Sequence, residues 1–182
     1  SAEEELKRLL EENERVTEEH HKRNRDLLRR IDEALRRHEK TLEDLIRELD
    51  RVLRELERRL KDKEKVDRIR REVEKVKEEL KRILEESRDI VRRAKETLKK
   101  LNEDSERESE KVLKRLREIV DKVSEKVDDL RRIIEESRRR HEELTKESEK
   151  LVREVEDILR RLSEELAELV KRVKDKLDED AK

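Results

Sequence analysis

The chain has 182 residues, of which 60% are Asp, Glu, Lys or Arg and none is Gly, Pro, Cys, Met, Phe, Tyr or Trp; 54 basic residues against 55 acidic ones leave a net charge of −1. Without cysteine there is no disulfide or thiolate chemistry, the balanced charge gives no long-range pull toward nucleic acid or an anionic membrane, and no aromatic ring is present for bases to stack on. Apolar residues make up 30% of the chain, ordinarily few for so charged a sequence, but they fall at helical spacing and so predict order rather than disorder. No apolar run approaches the roughly 20 residues of a membrane span and no signal peptide is read. The expectation is a soluble, recombinantly expressed protein with no natural localisation, and Ser1 in place of Met suggests a trimmed expression product.

The first element is a helix over about residues 2–61. Leu6, Leu10, Leu27, Leu28, Ile31, Leu35, Leu42, Leu45, Ile46, Leu49, Leu53, Leu56 and Leu60 lie on one stripe. Pairs such as Leu10 with Leu28 and Leu42 with Leu60 recur after five turns at 3.6 residues per turn, so the helix should be nearly straight. Ser1 with Glu4 makes a capping box at its start.

Polar, helix-ending residues gather at Lys61-Asp62-Lys63-Glu64 and at Asn102-Glu103-Asp104-Ser105. Asp62 can cap a second helix over about 64–101, and Ser105 with Glu108 can box a third over about 105–178. The second carries Val66, Ile69, Val73, Val76, Leu80, Ile83, Ile90, Ala94, Leu98 and Leu101 on one face. The third keeps a single phase from Val112, Leu116 and Val123 through Leu144 to Leu177. A fold-back near Glu143 to Ser148 is the alternative, because Thr145 and Ser148 could cap there. The fold class is therefore all-α: an elongated up-down three-helix bundle forming one domain over 1–182.

Helices of about 90, 57 and 110 Å do not match. The three-helix region should cover about 24–141 and leave overhangs at about 2–22 and 142–180. An apolar stripe that long is rarely left in water, so Leu6, Leu10, Leu151, Val155, Leu159, Leu162, Leu166 and Val170 are expected to pack between chains. A shift of 124 residues superposes Leu9-Leu10 on Ile133-Ile134, Asn13 on Ser137, Thr17 on His141, Asn24 on Ser148 and Leu42 on Leu166. With a hairpin at 102–105 the first and third helices pair at a shift of about 81 instead, so these matching patches could meet only between chains.

Several polar residues share the apolar arcs: Asn13, Thr17, His20, Asn24 and His38 on the first helix, and Ser87, Ser137, His141 and Ser148 on the others. Burying them costs several kcal/mol unless each finds a partner, so they read as a hydrogen-bond network that sets register and partner choice. Counting down the first hairpin places His38 level with Ser87. His20 and His141 fall at the edge of internal cover, where an interchain network is expected.

In this composition and pattern, over the entire length, the chain resembles de novo designed helical bundles, the coiled-coil oligomers and heterodimers with buried hydrogen-bond networks. The resemblance implies a structural, self-assembling protein without natural biochemical activity, partnered by itself or by a designed helix, and taking no nucleic acid, membrane or small-molecule substrate. One half of a heterodimer, or a monomeric switch or carrier scaffold if the long helix folds back, are the other readings. No enzyme, cofactor or metal site is expected: none of the four His are spaced i, i+4, no Gly-rich loop cradles phosphate, and His141-Glu142-Glu143 is the kind of pairing abundant Glu produces by chance.

Overall fold

The computed structural model describes residues 2–120 and 127–181. They form three helices: α1 over Ala2–Arg59, α2 over Lys63–Val120 and α3 over Val127–Asp180. The three pack together as an all-α three-helix bundle. Ser1 and Val123, used above in the capping box and the third stripe, lie outside the described residues. α2 opens as its sequence dictates, because Asp62 Oδ1 accepts from the backbone N–H of Glu64 at 3.1 Å and of Lys65 at 3.4 Å. These are two of the four donors a helix start leaves unpaired. Asp62→Ala is expected to cost about 1 kcal/mol, a fall of roughly 2–4 °C in thermal midpoint, measurable by circular dichroism.

The second helix boundary needs correction. α2 does not end at Leu101; it runs through Asn102-Glu103-Asp104-Ser105 to Val120, and α3 begins at Val127 rather than Ser105. Asn, Asp and Ser cost a helix interior only tenths of a kcal/mol each, and here they continue the stripe. Leu98, Leu101, Ser105, Ser109, Val112 and Leu116 follow at three- and four-residue steps, and all six are buried. Of the polar tetrad only Ser105 is buried; Asn102 and Asp104 are half-buried and Glu103 is exposed, as expected of four successive residues around a helix. Residues 143–148, the alternative fold-back, lie inside α3.

The three helices are therefore nearly equal, at 58, 58 and 54 residues, and the expected overhangs at 2–22 and 142–180 are covered within the chain. Leu9, Leu144, Val152, Val155, Leu159, Leu166 and Val170 are buried, while Leu6, Leu10, Leu151 and Leu162 are half-buried.

The chain divides into two compact units. The first is Ser1–Arg30 with Arg93–Arg153, the second Ile31–Arg92 with Glu154–Lys182. In the second unit, Leu42, Leu45, Leu49 and Leu56 of α1 meet Ile69, Val73 and Leu80 of α2 and Leu166, Val170 and Leu177 of α3 in one core. This is the three-and-four spacing that puts one face of each helix on a common axis. α1 and α2 are antiparallel there, since Glu57 pairs with Arg70, Asp50 with Lys77 and Glu39 with Arg88. α1 and α3 run parallel, with Glu48 bonded to Lys174, 126 residues on.

The first unit has the same order of helices but a smaller apolar cluster, Leu9, Val112, Leu116 and Ile134, flanked by Leu6, Leu10 and Ile133. Here too α1 and α3 are parallel: Glu5 binds Arg131 and Glu149 binds Arg23, each 126 residues apart. The shift near 124 seen in the sequence is thus the register of two helices of one chain, and the expected shift of about 81 fails with the misplaced hairpin.

Candidate functional site

The chemistry of this chain is concentrated in its buried polar residues. Asn13, His20, Asn24, His38, Ser87, Ser105, Ser109, Ser137, His141 and Ser148 are all buried, and Thr17 is half-buried. His38 and Ser87 belong to the second unit and the rest to the first.

In the second unit the layer closes. His38 Nε2 lies 2.8 Å from Ser87 Oγ and Nδ1 lies 2.6 Å from Ser163 Oγ. Ser87 also donates its hydroxyl proton to the Ile83 carbonyl at 2.9 Å. Each ring nitrogen of His38 thus has a hydroxyl partner, and a ring N–H also faces the Leu159 carbonyl. Burial lowers the His38 pKa from its ordinary 6.5, against the nearby Glu39 carboxylate.

The first unit is less complete. Thr17 donates to the Asn13 carbonyl at 2.9 Å, and its oxygen sits 2.6 Å from Ser109 Oγ, so the Ser109 proton serves Thr17. Ser109 is also 3.5 Å from His141 Nε2. His141 donates Nδ1–H to the Ser137 carbonyl at 2.8 Å, which leaves Nε2 of the neutral ring an acceptor. One hydroxyl proton faces two acceptors, and the longer contact is the one left poorly served. Asn24 Nδ2 donates to Asn102 Oδ1 at 3.3 Å, and Ser148 donates back to the Leu144 carbonyl at 2.9 Å.

His20 is the centre of this region. Its Nδ1 is 2.9 Å from Thr145 Oγ1, and its ring meets that of His141 edge to face at 5.6 Å and that of His21 at 6.3 Å. Burial, then the neighbouring imidazoles of His141 and His21, push its pKa from 6.5 down to about 4. Among the described residues, four buried atoms have no hydrogen-bond partner: Asn13 Oδ1, His20 Nε2, Asn24 Oδ1 and Ser105 Oγ. All four lie in the first unit.

The sequence-predicted residues are thus brought together within the chain, Thr17 and His141 through Ser109, and His38 with Ser87. Asn102, Ser105, Ser109, Thr145 and Ser163 belong to the same layers and were missed as such. The signal was available in their phase, since Asn102 and Ser105 extend the Leu98–Leu101 stripe. Among the described residues no group of three or more His, Cys, Asp or Glu could hold a metal ion, and no helix is long and apolar enough to cross a membrane. Compared with known proteins, the chain matches no family model, no curated protein and no solved structure.

Proposed function

We propose that this chain is a structural scaffold of the designed-bundle kind, self-contained as a monomer and without catalytic chemistry, whose buried polar layers set which helices pair and in what register. The observation that carries this reading is the burial of Val155, Leu159, Leu166 and Val170 inside their own chain. An apolar stripe already covered offers little for a second chain to gain. Polar layers support register because slipping a helix past its neighbour strands each buried donor and acceptor at about 1–3 kcal/mol apiece.

Size-exclusion chromatography with light scattering tests it. A single species at the chain mass of 22.4 kDa is expected across micromolar concentrations, and a stable dimer or higher oligomer would refute the self-contained reading. Leu159→Glu with Leu166→Glu separates the cases further. Two carboxylates placed in the core should cost several kcal/mol and abolish the cooperative melt, whereas an interchain role would leave a helical, cooperatively melting monomer.

The four unpartnered polar atoms of the first unit favour a second reading, one subunit of a designed heterodimer whose partner helix would complete that layer. It requires an added helix to raise the molar mass, and the same chromatography reads that.

A further inference from the structure

We propose that the cavity between α1 and α3 in the first unit is a binding site for a small, uncharged, hydroxyl-bearing aromatic molecule of the phenol or naphthol class. The cavity measures about 750 Å³; Val16, His20, His141 and Thr145 line it together with seven charged side chains, and most of the surface facing the space is nonetheless apolar. Small-molecule sites fall at roughly 300–1,000 Å³ with apolar walls and a few convergent polar groups. The cavities along the same helix pair in the second unit are smaller, at about 440 and 180 Å³.

Three features select the ligand. The rim's formal charges balance once Glu149, beside the lining, is counted: Arg138 is paired with Glu12 and Arg23 with Glu149, and Arg15 and Lys146 stand with Glu19 and Glu142 in the lining. An anion or a cation gains from one pair what it loses to the other. The imidazoles of His20 and His141, edge to face at 5.6 Å, line the wall, and a planar ring extends that arrangement at aromatic-pair distances. Thr145 Oγ1 is bonded to His20 Nδ1, and a hydroxyl in one such bond keeps capacity for another. A ligand O–H can donate to it.

The probe is 2-naphthol, uncharged at pH 7.5 and fluorescent, titrated against the full chain. With no Trp or Tyr in the sequence, the signal comes from the ligand alone. We expect saturable binding with Kd about 0.1 mM, within the usual efficiency for a ligand of this size. Naphthalene and naphthalene-2-sulfonate should each bind about 10-fold more weakly, for lack of the hydroxyl and for the unmatched charge. Thr145→Val, close to isosteric, should weaken 2-naphthol about 5-fold, and Val16→Phe, which puts a ring into the space, should abolish binding. Ala34→Leu, at the second unit's cavity, should change nothing. Equal affinity for 2-naphthol and the sulfonate, no saturation, or parental affinity in a folded Thr145→Val variant would each overturn the proposal; these readouts concern one chain in solution and do not depend on its being a scaffold.

Discussion

Lowering the pH from 7.5 to 4.5 is expected to lower the thermal midpoint of this protein by roughly 5–10 °C, and His20→Leu is expected to remove most of that fall. His20 is 3% exposed and held near pKa 4 by burial beside His141 and His21, while the unfolded chain titrates near 6.5. Above about pH 6.5 both states are neutral and the proton costs folding nothing. Between 6.5 and about 4 the unfolded chain binds the proton first, so stability drains away as the pH falls, and below about 4 the loss is complete. At pH 4.5 the loss is on the order of 2–3 kcal/mol from this one group, with His38 contributing in the same direction. The leucine side chain of the His20→Leu variant has no proton to bind and no orphaned Nε2, so the variant should also melt higher than the parent at pH 7.5. Thermal melts by circular dichroism across the range decide it. An equal drop in parent and variant would assign the acid response to the surface ion pairs instead of His20.

The second large effect is a difference of sign between the two units. Asn13→Leu should stabilise the protein by about 2–4 kcal/mol, because it removes a buried acceptor with no partner and adds apolar burial beside Leu9 and Leu10. The Thr17 bond survives, since it goes to the Asn13 backbone carbonyl. Ser87→Ala should do the opposite, costing about 1–3 kcal/mol, for it leaves His38 Nε2 buried and unbonded in a layer that is complete as it stands. Urea midpoints of the two variants measure this directly. If both substitutions destabilise, the Asn13 amide has a partner and the first unit's layer is closed after all; if both stabilise, buried polar layers here contribute nothing to pairing.

The candidate site was readable residue by residue but not as an arrangement. Helical phase was enough to put Asn13, His20, Asn24, His38, Ser87, Ser137, His141 and Ser148 on buried arcs, because a residue three or four steps from a core leucine shares its face whatever its chemistry. The His38 and Ser87 pairing followed from counting down a hairpin whose turn, at Asp62, was correctly located. The first unit offered no such anchor. The shift relating Asn13 to Ser137 and Thr17 to His141 lies close to the true offset of 125 or 126 between α1 and α3, yet ending α2 at Leu101 instead of Val120 makes that shift read as a contact between chains.

The end of α2 marks the division. Sequence alone determined that the described residues are almost all helical, which face of each helix is apolar, where α1 stops and which polar residues interrupt the stripes. These depend on interactions among near neighbours: the phase of 3.6 residues per turn, the side-chain cap at Asp62 and the absence of Gly and Pro. Only the tertiary structure decided that Asn102-Glu103-Asp104-Ser105 is helix, that the three helices are nearly equal in length, and that Val152, Val155, Leu159, Leu166 and Val170 are packed by their own chain. A short polar run costs a helix so little that its own residues do not decide between ending the helix and continuing it. What decides is whether something across the core can receive those side chains, as Asn24 receives Asn102, and that is a property of the packed helices together.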